Sequence, residues 1–341
     1  MDIVKSYGGN NHQRTSLVAT AVASGVAAVI AWQLYTRTTG KNRHPPPPLA
    51  KASIWQTIAG FTDGGMHRFM IDQLVKCGSV YRLAIPGVVI VANSEDARAI
   101  YKDPLSTKAR ALYSATEYFT SGVSILSIAD KGDAWHHRRK GINPAFAPKH
   151  IKRMNDVAME KVETWVKESL RPCVENDRAF DIGVEMILLT VSVICKAAFE
   201  YDISDEEGKG LVRAVRDCLD EFTYKSMQNP LRRFGSWVLS DSQHVFQQAN
   251  LLKNFATKLI KLHRQKCHSN DTQSVLDVII KNDEYKDDSE RASDIIMILI
   301  AGHDTTGSTI AFALMELAKP PTNNASYVTN WFRPCLFQLH T

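Results

Sequence analysis

Residues Gly302, His303, Asp304, Thr305, Thr306, Gly307, Ser308 and Thr309 form an unbroken polar and glycine stretch between two apolar runs, Ile295 to Ala301 and Ile310 to Leu317. An acid followed directly by a hydroxyl is suited to passing protons to a small ligand. No proline interrupts the segment before Pro320, so one long helix over Ile295 to Leu317 is the simplest reading. Apolar residues on every side predict that both halves are buried. Polar groups in mid-core need partners, and Gly302 costs about 1 kcal/mol relative to Ala inside a helix. Both penalties together suit a place where something approaches the backbone closely. The Thr305 hydroxyl can bond back to the carbonyl one turn earlier, and helices often widen locally at functional sites. The competing arrangement is two helices split by a Gly-Asp-Thr turn, with Asp304 as an N-cap.

A second group lies at Asp133 to Phe146, DAWHHRRKGINPAF. Trp135 and Arg139 stand four apart and share one face of a helix. An indole N–H and a guanidinium on one face can both donate to a carboxylate. No acid occurs between Ala134 and Asn155, but Arg138, Arg139, Lys140, Lys149, Lys152 and Arg153 do, which predicts a basic surface. That surface suits an acidic partner protein or anionic lipid; the alternative is a solvated basic helix with a core tryptophan. His136 and His137 are adjacent and read as surface residues. His263, Cys267 and His268 lack a fourth ligand, so no residue is assigned to a metal.

Together these segments resemble the cytochrome P-450 haem monooxygenases. Ala301-Gly302-His303-Asp304-Thr305-Thr306 is similar to that family's I-helix signature: Ala or Gly, Gly, any residue, Asp or Glu, Thr, then Thr or Ser. The resemblance implies that Thr305 is the alcohol and Asp304 the acid of a proton relay. It implies that Ala301 and Gly302 form an oxygen groove over haem (heme). W-x-x-x-R at Trp135 and Arg139 resembles the C-helix motif that grips a haem propionate. Implied with these are a lipophilic substrate, dioxygen and an electron-donor reductase. The stretch RRKGINPAF and the AGHDTT variant look most like the clan that hydroxylates fatty acids and similar lipids. This reading requires Thr305 to lie in a core notch that Trp135 and Arg139 face; a Thr305 turned to solvent, or Trp135 and Arg139 facing away from the Gly302 notch, means that no such pocket exists.

The elements that must position these residues fit a mainly α protein with a small β region. The chain has 341 residues, 44% hydrophobic, enough for a sizeable core, and its formal charge of +5 does not call for nucleic acid. Six cysteines, at 77, 173, 195, 218, 267 and 335, form no CxxC pair, so neither a disulfide framework nor a zinc cluster is indicated. After a polar tail (1–15), Ser16 to Tyr35 carries no charge and has the length of a bilayer span. The basic residues after it place the remainder in the cytosol. The alternative is a cleaved targeting segment. A basic, proline-rich linker (36–50) follows, similar to that of microsomal P-450s, which implies an endoplasmic reticulum anchor with a single pass.

The stretch 51–320 then reads as a partial P-450 domain through the I helix. Ile54 to Lys76 is helical. Val80 to Ile85 and Val88 to Ala92 form a hairpin about Pro86-Gly87. Ser94, as a cap, starts a helix to Lys102. Ile151 to Leu170 is amphipathic, Asp181 to Phe199 a central buried helix, and Leu211 to Phe222 a shorter one. Val245 to Leu262 is long, and Asp283 to Glu290 is a charged, solvated loop. Asn229-Pro230 breaks the chain near Phe222, Tyr224, Phe234 and Trp237, which are candidates for substrate contacts or for ordinary packing.

The tail 321–341 matches nothing in the family pattern. It contains no E-x-x-R, and Cys335 stands outside any F-x-x-G-x-x-x-C-x-G segment. A truncated gene model or a spliced product would explain this. Without the axial thiolate the electron push for O–O cleavage is lost. The chain alone is therefore expected to be unstable and inactive, with no thiolate-type carbon monoxide difference spectrum. The alternatives are a non-catalytic, membrane-tethered helical binding protein or degenerate relative, and a two-span membrane protein using Ile295 to Leu317 as its second span. The latter puts Asp304 at mid-membrane, at high cost.

Overall fold

The computed structural model describes residues 47–62, 65–85, 87–128, 133–222, 240–265 and 274–319, and the chain divides into two compact units, Met1–Asp103 and Pro104–Thr341. The span Ser16 to Tyr35, Tyr224, Asn229-Pro230, Phe234, Trp237, Cys267, His268, Cys335 and the tail 321–341 lie outside the described residues.

In the first unit, helices α1 (Ile54–Thr62) and α2 (Met66–Cys77) precede strands β1 (Val80–Arg82) and β2 (Val89–Val91), and α3 (Ser94–Lys102) follows. The strands pair antiparallel, with Tyr81 opposite Ile90. Gly87 takes φ 76° in the turn, a conformation a side chain would resist. Tyr81 is fully buried, and its hydroxyl donates to the Met70 carbonyl at 3.0 Å, which ties β1 to α2. The cap of α3 is Asn93, not Ser94: Asn93 has an extended backbone, and its Oδ1 accepts from the Glu95 N–H at 2.8 Å.

The regular elements of the second unit are all helices among its described residues. Its order is α4 (Arg110–Tyr113), α5 (Asp133–Ile142), α6 (Pro148–Trp165), a π-helical turn (Val166–Leu170) running into α7 (Arg171–Glu175), then α8 (Ile182–Phe199), α9 (Asp205–Asp220), α10 (Ser240–Gln265), α11 (Val275–Lys281) and α12 (Asp288–Leu317). α8 starts where Asp181 accepts from the Gly183 and Val184 N–H groups. α9 begins six residues before Leu211. Ser204 caps it, and Asp205, Glu206 and Glu207 oppose its dipole, a polar start that apolar periodicity does not show.

α12 lies along α8, and α10 packs on both α9 and α12. Cys195, Phe199, Leu211, Leu252, Leu259 and Ile295 fill the space between them. Phe222 packs against this core. Both α8 and α12 are long and apolar enough to cross a membrane, yet here they pack on each other.

Three expectations are corrected. The charged loop at Asp283 to Glu290 ends earlier: Asp287 accepts from the Glu290 N–H at 2.9 Å, so Asp288 opens α12. Glu290 is also not solvated, because Arg138 covers it. The second half of α12 is not buried: Ile310, Phe312, Leu314, Met315 and Leu317 are exposed, since no described element packs over them. Finally, α12 stays α-helical through Gly302; among the described residues π-helical geometry occurs instead at Val166–Leu170 and at Glu221 and Phe222.

Candidate functional site

α12 is one continuous helix, so the alternative of a Gly-Asp-Thr turn capped by Asp304 does not hold. Within it the Thr305 hydroxyl donates to the Ala301 carbonyl at 2.9 Å, and Thr309 donates to the Thr305 carbonyl at 2.7 Å. These back-bonds satisfy the hydroxyls without any outside partner. Asp294, Ala301, Thr305, Thr309 and Phe312 recur at helical spacing and share one face. Ala301, Thr305, Thr309 and Phe312 are exposed along it. Thr305 therefore lies open rather than in a core notch, contrary to the sequence-based expectation. Its burial was inferred from neighbouring apolar residues, but those neighbours are on other faces.

The two glycines answer to packing. A Cβ on Gly302 would stand 2.7 Å from Ile194 Cδ1, and one on Gly307 would stand 2.9 Å from Ile187 Cα, both on α8. What approaches the Gly302 backbone in this structure is thus a neighbouring helix. Between them Thr190 Oγ1 lies 3.0 Å from the His303 carbonyl. His303 itself is buried, with Nδ1 2.6 Å from the Leu299 carbonyl, and burial holds its imidazole below the ordinary range.

A depressed histidine value has a stability consequence. Below about pH 6.5 the unfolded chain takes up a proton that folded His303 resists. Its contribution is complete above that pH and is lost as pH falls through the lower folded value. Denaturant midpoints measured between about pH 7.5 and about pH 5.5 should fall with pH. His303→Gln should flatten that slope.

Asp304 lies on an adjacent face and is half-buried. It opens on a cavity of about 410 Å³ shared with Ile187, Val215, Arg216, Asp220 and Ser308, between α8, α9 and α12. A carboxyl there can exchange protons with water in that cavity, while Thr305 faces the other side.

Trp135 and Arg139 both fall on α5, as their spacing predicts. Trp135 is half-buried and Arg139 exposed. No hydrogen bond joins either to α12 among the described residues. The link is Arg138, which sequence reasoning placed with the basic surface. Arg138 is buried, donates from Nη2 to Glu290 at 2.6 Å and from Nη1 to the Val123 carbonyl at 3.1 Å, and has Asp294 3.9 Å away. Asp294 also accepts from the Tyr285 hydroxyl at 2.7 Å and from the Ile125 N–H. Burial pushes the Asp294 carboxyl up against these donors, and it pushes the Tyr285 phenol up as well. The signal for this cluster was an acid directly before an apolar run, at Asp294, with Arg138 three residues from Trp135.

His136 and His137 are exposed, as expected, and the buried His263 has Nε2 3.3 Å from Asp277 Oδ1. The Arg138 anchor brings α5 against the start of the face that carries Ala301 and Thr305. The open stripe on α12, and on α5 the Trp135 N–H and Arg139 guanidinium, which have no partner among the described residues, are groups of the kinds haem would need.

The described chain is thus a mainly helical protein with a small antiparallel sheet, whose α12 carries an open threonine face. The sequence profile of the Cytochrome P450 family matches residues 45–326, and the chain belongs to that family. The chain is 24% identical over 303 residues to cytochrome P450 monooxygenase LUC2 of Fusarium sp, covering 85% of this chain and 58% of that protein. It is 22% identical over 303 residues to the chloroplastic carotene epsilon-monooxygenase of Arabidopsis thaliana, with coverages of 83% and 55%. It is 22% identical over 317 residues to cytochrome P450 2C3 of Oryctolagus cuniculus, with coverages of 87% and 63%. Among solved structures, a crystal structure of a cytochrome P450 (CYP102L1) superposes with a TM-score of 0.61 at 19% identity, over 82% of this chain and 62% of that one. The chain thus spans between half and two thirds of the length of these relatives.

Proposed function

We propose that this chain carries the proton-relay and propionate-gripping part of a haem monooxygenase acting on a lipophilic substrate, with two electrons from a reductase. The reading is supported by the cytochrome P450 family match over residues 45–326, with Ala301, Thr305 and Thr309 on one face of α12 and Asp304 beside it, open to a separate cavity. When bound, haem supplies the iron that activates dioxygen, so that one oxygen atom enters an apolar C–H bond and the other leaves as water. Asp304 takes protons from water in the cavity near Arg216 and Asp220. The Thr305 hydroxyl passes them to the ligand side of the helix. Ala301 keeps that side free of bulk, and Trp135 and Arg139 hold the carboxylate edge. The lipophilic substrate accords with the carotene in one relative's name and with the apolar Phe312 on the same face. Substrates of the fatty-acid type are one such class. The uncharged run Ser16 to Tyr35 supports a single-pass anchor in the endoplasmic reticulum membrane with the domain toward the cytosol.

In the haem-loaded monooxygenase, Thr305→Ala should lower product formed per electron pair by about tenfold or more, while electron consumption continues. Unchanged coupling would remove Thr305 from the relay.

A further inference from the structure

We propose that the groove between α9 and α10 is a second ligand site, which takes an uncharged lipophile bearing hydroxyl or carbonyl groups. The groove holds about 730 Å³, within the roughly 300–1,000 Å³ of small-molecule clefts. It shares no lining residue with the cavity at Asp304, and it does not depend on haem.

Gly210 sits inside α9, where glycine is the costliest residue after proline. Gly302 and Gly307 are required by a neighbouring helix, and Gly87 by its turn. Gly210 has neither reason: its φ is not positive, and a Cβ there would meet no atom within 4 Å. Gly208, two residues earlier and so on the opposite face of α9, is the one that lies toward Val191 of α8. A helical glycine that the fold does not require leaves its backbone open to close approach by a ligand. Gly210 lines the groove.

The rest of the lining sets the class of ligand. From α10 come Gln247, Asn250 and Asn254, three exposed neutral amides that each offer donors and an acceptor. None forms a hydrogen bond with a described residue. Leu211, Leu251 and Phe255 supply the apolar part. The charges in the lining are already matched. Lys258 Nζ donates to Glu207 Oε1 at 2.9 Å and to the Tyr201 hydroxyl at 2.7 Å, and Tyr201 donates to Glu207 Oε2 at 2.6 Å. Glu206 lies in the first turn of α9, against the positive end of that helix. A charged ligand would lose water at the apolar lining without gaining a counter-ion. An uncharged lipophile covers the exposed Leu251, and its oxygens meet the amides.

The test titrates the whole chain, in lipid nanodiscs, with decanediol and with its charged counterparts decanedioate and decanediamine. The side-chain amide NMR signals of Asn250 and Asn254 are followed. The diol should shift both signals to saturation, and each ion should bind at least about tenfold more weakly. Gly210→Leu fills the open space with a better helix former. It should weaken the diol by about tenfold or more, while the denaturant midpoint holds or rises. Asn254→Leu, on the other wall, should weaken the diol by about fivefold. An ion that binds as tightly as the diol would overturn the proposal. So would signals that never saturate, or a diol affinity unchanged in Gly210→Leu.

Discussion

Arg138→Ala is expected to lower the stability of the folded chain by about 3–5 kcal/mol, among the largest effects of any single substitution here. The guanidinium is buried between α5, the loop carbonyl of Val123 and the α12 carboxylates of Glu290 and Asp294. It also stacks on Tyr285, 4.8 Å from the ring centre. Removing it leaves Asp294, which is fully buried, with no cation, and leaves Glu290 and Val123 short of donors. The penalty is that of an uncompensated buried charge, which far exceeds the net worth of the pair itself. Arg139→Ala, one residue along the same helix, should change stability by no more than about 0.5 kcal/mol, because Arg139 is exposed and pairs with no described residue. Denaturant melts of the two variants read the contrast directly. Equal losses would mean that the Arg138 network does not form.

Gly307→Ala is expected to cost about 1–3 kcal/mol or more, and to cost more than Gly302→Ala. The new Cβ at 307 would meet Ile187 Cα at 2.9 Å, and backbone cannot swing aside, so α8 and α12 would have to separate. At 302 the clash is with Ile194 Cδ1 at 2.7 Å, the far end of a side chain that can change rotamer. That relief, with the gain of about 1 kcal/mol in helix propensity from Gly to Ala, leaves Gly302→Ala close to neutral. Thermal or chemical melts of the two variants decide it. A larger loss at 302 would show that Ile194 is held rigidly.

What depends on near neighbours in the chain was legible in the sequence. The α12 helix, the hairpin about Gly87, the helical placement of Trp135 and Arg139, and the Thr305 bond to the Ala301 carbonyl all follow from spacing of four residues or fewer. What depends on which distant element covers a face was not. Arg138 and Arg139 are the same residue type side by side, and only the position of Asp294 across the core decides which one is buried. Gly302 drew notice as a ligand groove, whereas its neighbour in the fold is Ile194; Gly307, with the tighter backbone approach, drew none. Apolar residues around Ile310 to Leu317 show that the helix can be buried, not that a partner lies over it. The exposure of Thr305 has the same origin, and it makes the face that bears Thr305 available to a ligand.

Alkylation of a thiol placed by Ala301→Cys, with and without saturating haem, tests the central claim most directly. Position 301 is exposed on the threonine face, and the half-exposed native Cys173 on α7 serves as an internal reference in the same sample. If haem lies against α12 beside Thr305, bound haem should slow reaction at 301 markedly and leave Cys173 unaffected. An unchanged rate at 301 while haem absorbance saturates would place the macrocycle elsewhere and contradict the account.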